Sequence, residues 1–132
     1  MSFRLRLHIH VDPDHSLGPG KIGLLEAIDA EGSISAAARA MDMAYRHAWD
    51  LVDDLNRCFR GGVVITGTGG PAGGGARLTA MGRELVARFR AMERAANEAI
   101  AGDLAALAGE LAGARPQQRA NAKKTRAKQA KR

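Results

Sequence analysis

Hydrophobic and charged residues alternate strictly at the start of the chain. Phe3, Leu5, Leu7, Ile9 and Val11 fall on one side, and Arg4, Arg6, His8 and His10 on the other. A period of two predicts a half-buried strand over 3–11, ended by Asp12-Pro13-Asp14. Leu17-Gly18-Pro19-Gly20 then reads as a turn. Ile22, Leu25 and Ile28, with Leu24 beside them, recur at helical spacing and predict a helix over 21–31, closed by Gly32. Ala36, Ala37, Ala38 and Ala40 predict a short, thin helix that a second helix can cross closely. Ser33 or Ser35 is suited to cap its start. Asp42 marks a break, because a short polar residue tolerates turn geometry. A new helix is expected from near Ala44 to about Phe59, with Ala48, Leu51, Val52, Leu55 and Phe59 on one side. Gly62-Val63-Val64-Ile65-Thr66 reads as a strand and Gly67–Gly75 as a flexible Gly-rich tip. Ala76-Arg77-Leu78-Thr79 reads as the return strand of a hairpin.

The last periodic segment is the longest. From Thr79 or Ala80 to about Leu111, Leu85, Phe89, Met92, Ala96, Ile100, Leu104, Leu107 and Leu111 form an apolar stripe spaced by threes and fours. The first turns can fold onto the same subunit's core. The remainder needs a partner, which points to a homodimer. After Gly113 the chain is Ala, Lys, Arg and Gln without apolar periodicity, and residues 113–132 read as a disordered basic tail. The expected architecture is mainly α with a small β component. It is a winged helix-turn-helix with an N-terminal strand, a Gly-rich β-hairpin wing and a long dimerisation helix at about 80–111, all within residues 1–112.

Composition sharpens this picture. The chain of 132 residues suffices for one core. Its formal charge is +6, but residues 115–132 hold eight basic residues and no acidic one. Residues 1–114 therefore carry 12 Lys+Arg against 14 Asp+Glu, a formal −2. Bulk charge thus does not mark the folded part as a nucleic-acid surface, and local arrangement must do so. No apolar run approaches the ~18 residues of a membrane span, and the N-terminus lacks a signal-peptide core. The single cysteine, Cys58, is expected as a small buried thiol. A cytoplasmic protein is the simplest expectation.

Several chemistries are unsupported. The Gly-rich loop lacks the Gly-Lys-Ser/Thr ending of a P-loop. It is followed by a strand rather than the helix a dinucleotide site needs. His8, His10, Asp12, Asp14 and His15 lack Cys-rich or HExxH-type spacing. No Ser/His/Asp set or carboxylate pair stands out. A non-enzymatic protein with no cofactor and no metal is expected.

Two blocks carry a family resemblance. The first is Gly32-Ser33-Ile34-Ser35, Ala36-Ala37, Tyr45-x-x-Ala48-Trp49 and Asp53-x-Leu55-Asn56. The second is Thr68-Gly69-Gly70-x-x-Gly73-Gly74-Gly75-Ala76-x-Leu78-Thr79 followed by Gly82. On these, residues 18–95 resemble the N-terminal DNA-binding domain of the molybdate-responsive transcriptional regulators, the ModE family, related to LysR-type winged helices. The chain departs from that pattern at Asp42, Ala44, Thr66, Pro71 and Ala72, and its wing keeps only Arg77 as a basic residue. Full-length members carry a C-terminal β-rich oxyanion-binding module. A long helix and the tail stand in its place here, and a separate oxyanion-sensing protein is one candidate partner.

The helix-turn-helix pattern places Ala44, Tyr45, Arg46 and His47 in the first turn of the recognition helix, which faces base edges of double-stranded DNA. Arg46 is suited to a guanine edge. Ser33 and Ser35 can cap and also donate to phosphate. Gly73, Gly74 and Arg77 are the wing's candidates for backbone contact. Two functions are compatible with this pattern. One is a homodimeric regulator of a pseudo-palindromic operator. The other is a protein–protein interaction module that has lost specific DNA binding.

Overall fold

The computed structural model describes residues 2–67 and 74–112. Their order is β1 (Ile9–Val11), β2 (His15–Leu17), α1 (Pro19–Glu31), α2 (Ile34–Ala40), α3 (Tyr45–Cys58), β3 (Val64–Thr66), β4 (Ala76–Leu78) and α4 (Ala80–Ala108). The fold is mainly α, with two small antiparallel sheets, β1–β2 and β3–β4. Apart from β2, the element order is the one the sequence predicts. Residues 6–95 form one compact unit. Residues 96–112 group with residues 2–5 in a second.

The leading strand is shorter than the alternation predicts. Only Ile9–Val11 pair, in the register Ile9↔Leu17, His10↔Ser16 and Val11↔His15. Continuing that register would put Leu7 opposite Pro19. Proline has no amide hydrogen, and here it opens α1. The ladder therefore stops, although burial still alternates from Leu5 to Val11. Phe3, expected on the apolar side, is 42% exposed. β2 is not expected from the sequence, where only its last residue, Leu17, falls in the turn read at 17–20.

α1 ends as expected. Gly32 adopts φ 83°, a left-handed conformation that glycine reaches without steric cost, and its amide donates to the Ile28 carbonyl. Ser33, not Ser35, caps α2: its hydroxyl accepts from the Ala36 amide at 3.1 Å. Ser35 lies half-buried inside α2. Ala37 and Ala38 are buried, which lets the helices on either side approach α2 closely. Asp42 turns the chain with φ 55°. α3 follows and inserts Ala48, Val52 and Leu55 into the core.

The chain leaves α3 through two left-handed glycines, Gly61 at φ 79° and Gly62 at φ 76°. They reverse the backbone onto the side chain of Asn56. Asn56 Oδ1 accepts from the amides of Val63 and Val64, and Nδ2 donates to the Val64 carbonyl. The hairpin pairs Val64↔Leu78, Ile65↔Arg77 and Thr66↔Ala76. At its far side the Thr79 hydroxyl donates to the Gly62 carbonyl and accepts from the Gly82 amide, so one side chain closes the hairpin and starts α4. Asn56 and Thr79 thus satisfy backbone groups that would otherwise lie unpaired beside the core.

α4 has 29 residues, about 43 Å at about 1.5 Å per residue. Its apolar stripe divides. Leu85 is buried and Phe89 is fully buried, whereas Met92 is 40% exposed and Leu107 55%. Arg90 joins α4 to α1 by donating to both carboxylate oxygens of Glu26, at 3.0 and 2.7 Å, and it also donates to Glu93. Among the described residues no helix is long and apolar enough to cross a membrane.

Candidate nucleic-acid interface

α3 is amphipathic, and the amphipathicity orients it. With Ala48, Val52 and Leu55 held in the core, residues 45–47 must face outward. Tyr45 is 56% exposed, and Arg46 and His47 are exposed. Ala44 is the N-cap and supplies no side-chain bond, so amides of the first turn remain open. Tyr45 meets Trp49 edge-to-face, with ring centroids 6.3 Å apart and planes at 79°. Trp49 in turn packs against the core. The aromatic pair thereby anchors the first turn. Among the described residues Arg46 forms no hydrogen bond or ion pair, which leaves its five donors available.

The second group of candidates lies at the hairpin. The Gly32 carbonyl accepts from the Ala76 amide at 2.8 Å. Ser33 and Arg77 each follow one partner of that bond, so it brings their backbones near each other although 44 positions separate them in the sequence. Arg77 is exposed, and it lines a recess of about 330 Å³ with Gly32, Ile65, Gly67, Gly75 and Ala76. Gly74 is exposed beside the Gly67–Gly75 backbone bond. Gly73 lies outside the described residues, as does the tail from 113. No side-chain hydrogen bond among the described residues ties this group to the Tyr45–His47 turn.

The charge on α3 is mixed. Asp50 and Asp53 are exposed, and Asp53 lies 3.8 Å from Arg57 across one helical turn. Asp54 accepts from His15 Nδ1 at 2.6 Å and from Lys21 Nζ at 2.9 Å. Burial alone would push its carboxyl up, but the hydrogen bonds from Lys21 and His15, together with their charges, hold it below the ordinary value. Cys58, expected buried, is half-buried because it lies in the last turn of α3, at the core's margin. Burial and the nearby Asp54 push its thiol up. The pattern of apolar residues did not reveal Asn56, His15 or Lys21 as partners. Asn56 carries a signal as the last residue of the first resemblance block, and His15 one as a member of the His8–His15 group; Lys21 carries none.

No protein-family model matches the chain. It is 41% identical over 91 residues to the molybdenum transport protein ModE of Azotobacter vinelandii, covering 69% of this chain and 34% of that protein. It is 46% identical over 77 residues to the molybdenum-pterin-binding protein MopB of Rhodobacter capsulatus, covering 58% and 28%. It is 40% identical over 68 residues to the DNA-binding transcriptional dual regulator ModE of Escherichia coli K12, covering 52% and 26%. The match spans about a third or less of each of these relatives. Over that segment, the chain is similar to ModE and Mop proteins, as the helix-turn-helix and hairpin blocks imply.

Proposed function

We propose that this chain is a DNA-binding transcriptional regulator of the ModE-like type, acting in the cytoplasm as a homodimer on a pseudo-palindromic operator. One observation carries the reading. The first turn of α3 presents Tyr45, Arg46 and His47 to solvent on a helix whose other face is locked in the core. A recognition helix needs that combination of a rigid backbone and free donors. Relatives named as transcriptional regulators support it. The dimer reading rests on the exposed Met92 and Leu107 of the α4 stripe. Ser33 and Arg77 are assigned to phosphate contacts, which fix register without reading sequence. Catalysis forms no part of this function.

A second reading is favoured by a specific observation. Residues 1–114 carry a formal −2, and α3 itself exposes Asp50 and Asp53. Those carboxylates oppose a phosphate backbone and would suit a protein–protein interaction module. Gel-shift titration against genomic fragments at two salt concentrations separates the readings. A regulator selects a few fragments and still binds them at the higher salt. An interaction module shows only weak, sequence-blind retardation that salt removes.

A further inference from the structure

The α3–β2 junction collects three metal-ligating groups from two elements. A ring nitrogen of His15, an Asp54 carboxylate oxygen and Cys58 Sγ all lie within 4.8 Å of one another. Asp54 and Cys58 are one helical turn apart on α3 and share a face. His15 reaches them from the first residue of β2. We propose that His15, Asp54 and Cys58 form a three-ligand site for a divalent transition metal of borderline softness, with zinc the best fit.

The donor set argues for the class of ion. One imidazole nitrogen, one thiolate and one carboxylate oxygen match the ligands zinc takes, and three protein ligands leave a fourth position for water. Hard ions such as magnesium and calcium prefer oxygen throughout. Ligand atoms in a tetrahedral site with bonds of about 2.0–2.3 Å stand roughly 3.3–3.7 Å apart. The 2.6 Å separation of His15 Nδ1 from Asp54 Oδ1 and the 4.8 Å limit on the set bracket that spacing.

The surroundings are compatible with coordination. Lys21 Nζ donates to Asp54 Oδ2 and to the Ser16 carbonyl, at 2.9 and 2.7 Å. It thereby holds the carboxylate by one oxygen and leaves Oδ1 turned toward His15. Outer-shell donors of this kind orient a metal-binding carboxylate. The side chains of His15 and Asp54 are about a quarter exposed, so an ion can enter from solvent. The ion displaces the thiol proton of Cys58 to solvent as the sulfur–metal bond forms. Once bound, it ties the β1–β2 hairpin to the helix that carries Tyr45, Arg46 and His47. The proposal stands independently of DNA binding.

Cobalt(II) titration of the chelator-treated full chain tests it. Cys58 is the chain's only cysteine, so a sulfur-to-cobalt charge-transfer band reports this site alone. The expected result is a band that saturates at one equivalent, with the intensity of a single thiolate, and disappears when zinc is added. Cys58→Ser should abolish the band. His15→Gln and Asp54→Asn should each weaken affinity at least about tenfold, the smallest loss seen when even an outer-shell partner is removed. Zinc should raise the melting temperature of the wild type and not of Cys58→Ser, a readout that holds even if one ligand variant folds poorly. Absence of the band overturns the proposal. So does two-thiolate intensity, which means two chains sharing one ion. A band unchanged in both His15→Gln and Asp54→Asn also overturns it.

Discussion

Asn56 Oδ1 accepts the backbone amide of Val63 at 2.7 Å while Val63 itself lies fully buried, so one polar side chain on α3 fixes where the hairpin departs. The same oxygen takes the amide of Val64 at 3.0 Å. Asn56→Ala would strand both donors beside the core. The expected loss is at least about 1–3 kcal/mol, the cost of leaving a buried donor unpaired. Asn56→Asp keeps the acceptor for both amides but sets a carboxylate oxygen against the Val64 carbonyl in place of the donor, so its loss at neutral pH should fall between wild type and Asn56→Ala. Urea denaturation of the three proteins measures this. A loss below about 0.5 kcal/mol for Asn56→Ala, the size of an ordinary surface change, would mean that water replaces the asparagine.

The Glu26–Arg90 pair makes stability depend on acid. The hydrogen bonds from Arg90 hold the Glu26 carboxyl below its ordinary value of 4.5. A lowered carboxylate contributes stability that is fully present above its unfolded value and is lost as pH falls through its folded value. Melting temperature should therefore drop as pH falls below about 4.5, and Glu26→Gln should flatten part of that drop. Asp54, lowered in the same direction, contributes to the drop that is left. Glu26 is 41% exposed, so the effect should be modest and should shrink in high salt. A Glu26→Gln acid limb identical to the wild type would leave the pair without energetic weight.

Arg46 and Arg77 should behave differently on DNA. If the first turn of α3 reads bases, Arg46→Ala should cost about 1–3 kcal/mol on a selected operator and much less on scrambled DNA. Arg77→Ala, losing a phosphate contact, should weaken both by a smaller and similar factor. Paired anisotropy titrations at fixed salt measure this. Equal losses on both DNAs for Arg46→Ala would reduce Arg46 to a backbone contact. No loss on either would favour the interaction module.

The exposed part of the α4 stripe predicts self-association. Sedimentation at micromolar concentration should give a dimer. Met92→Glu with Leu107→Glu should shift it toward monomer while leaving the melting of the 6–95 unit nearly unchanged. By contrast Phe89→Ala, at a fully buried position, should cost about 3–5 kcal/mol in the fold itself. A monomeric wild type would remove the two-half-site reading.

Deleting 115–132 removes eight positive charges and no negative one. Binding to operator and random DNA should weaken by similar factors, and the salt dependence should flatten. A deletion that spares random DNA but abolishes operator binding would assign sequence reading to the tail.

Local chemistry alone sufficed for much of this protein. The helix-turn-helix was legible because its determinants act within a few residues. Ser33 caps α2, the small side chains of Ala37 and Ala38 allow close crossing, Asp42 takes a left-handed turn and Gly32 closes α1. The exposure of Tyr45, Arg46 and His47 follows from the 3.6-residue period of α3 with Ala48, Val52 and Leu55 in the core. What depends on partners distant in sequence was not legible. The alternation over 3–11 has the right period, but a strand also needs a neighbour, and Pro19 ends the one available. The stripe of α4 is uniform as a pattern, yet the core covers Leu85 and Phe89 and leaves Met92 exposed, because only three-dimensional packing limits the reach of a core. Asp54 stands 39 residues from His15 and 33 from Lys21, and it meets both only because β2 and α1 each bring one partner to α3. Charge and metal-ligating clusters of that kind arise from chain crossings, which no local periodicity encodes.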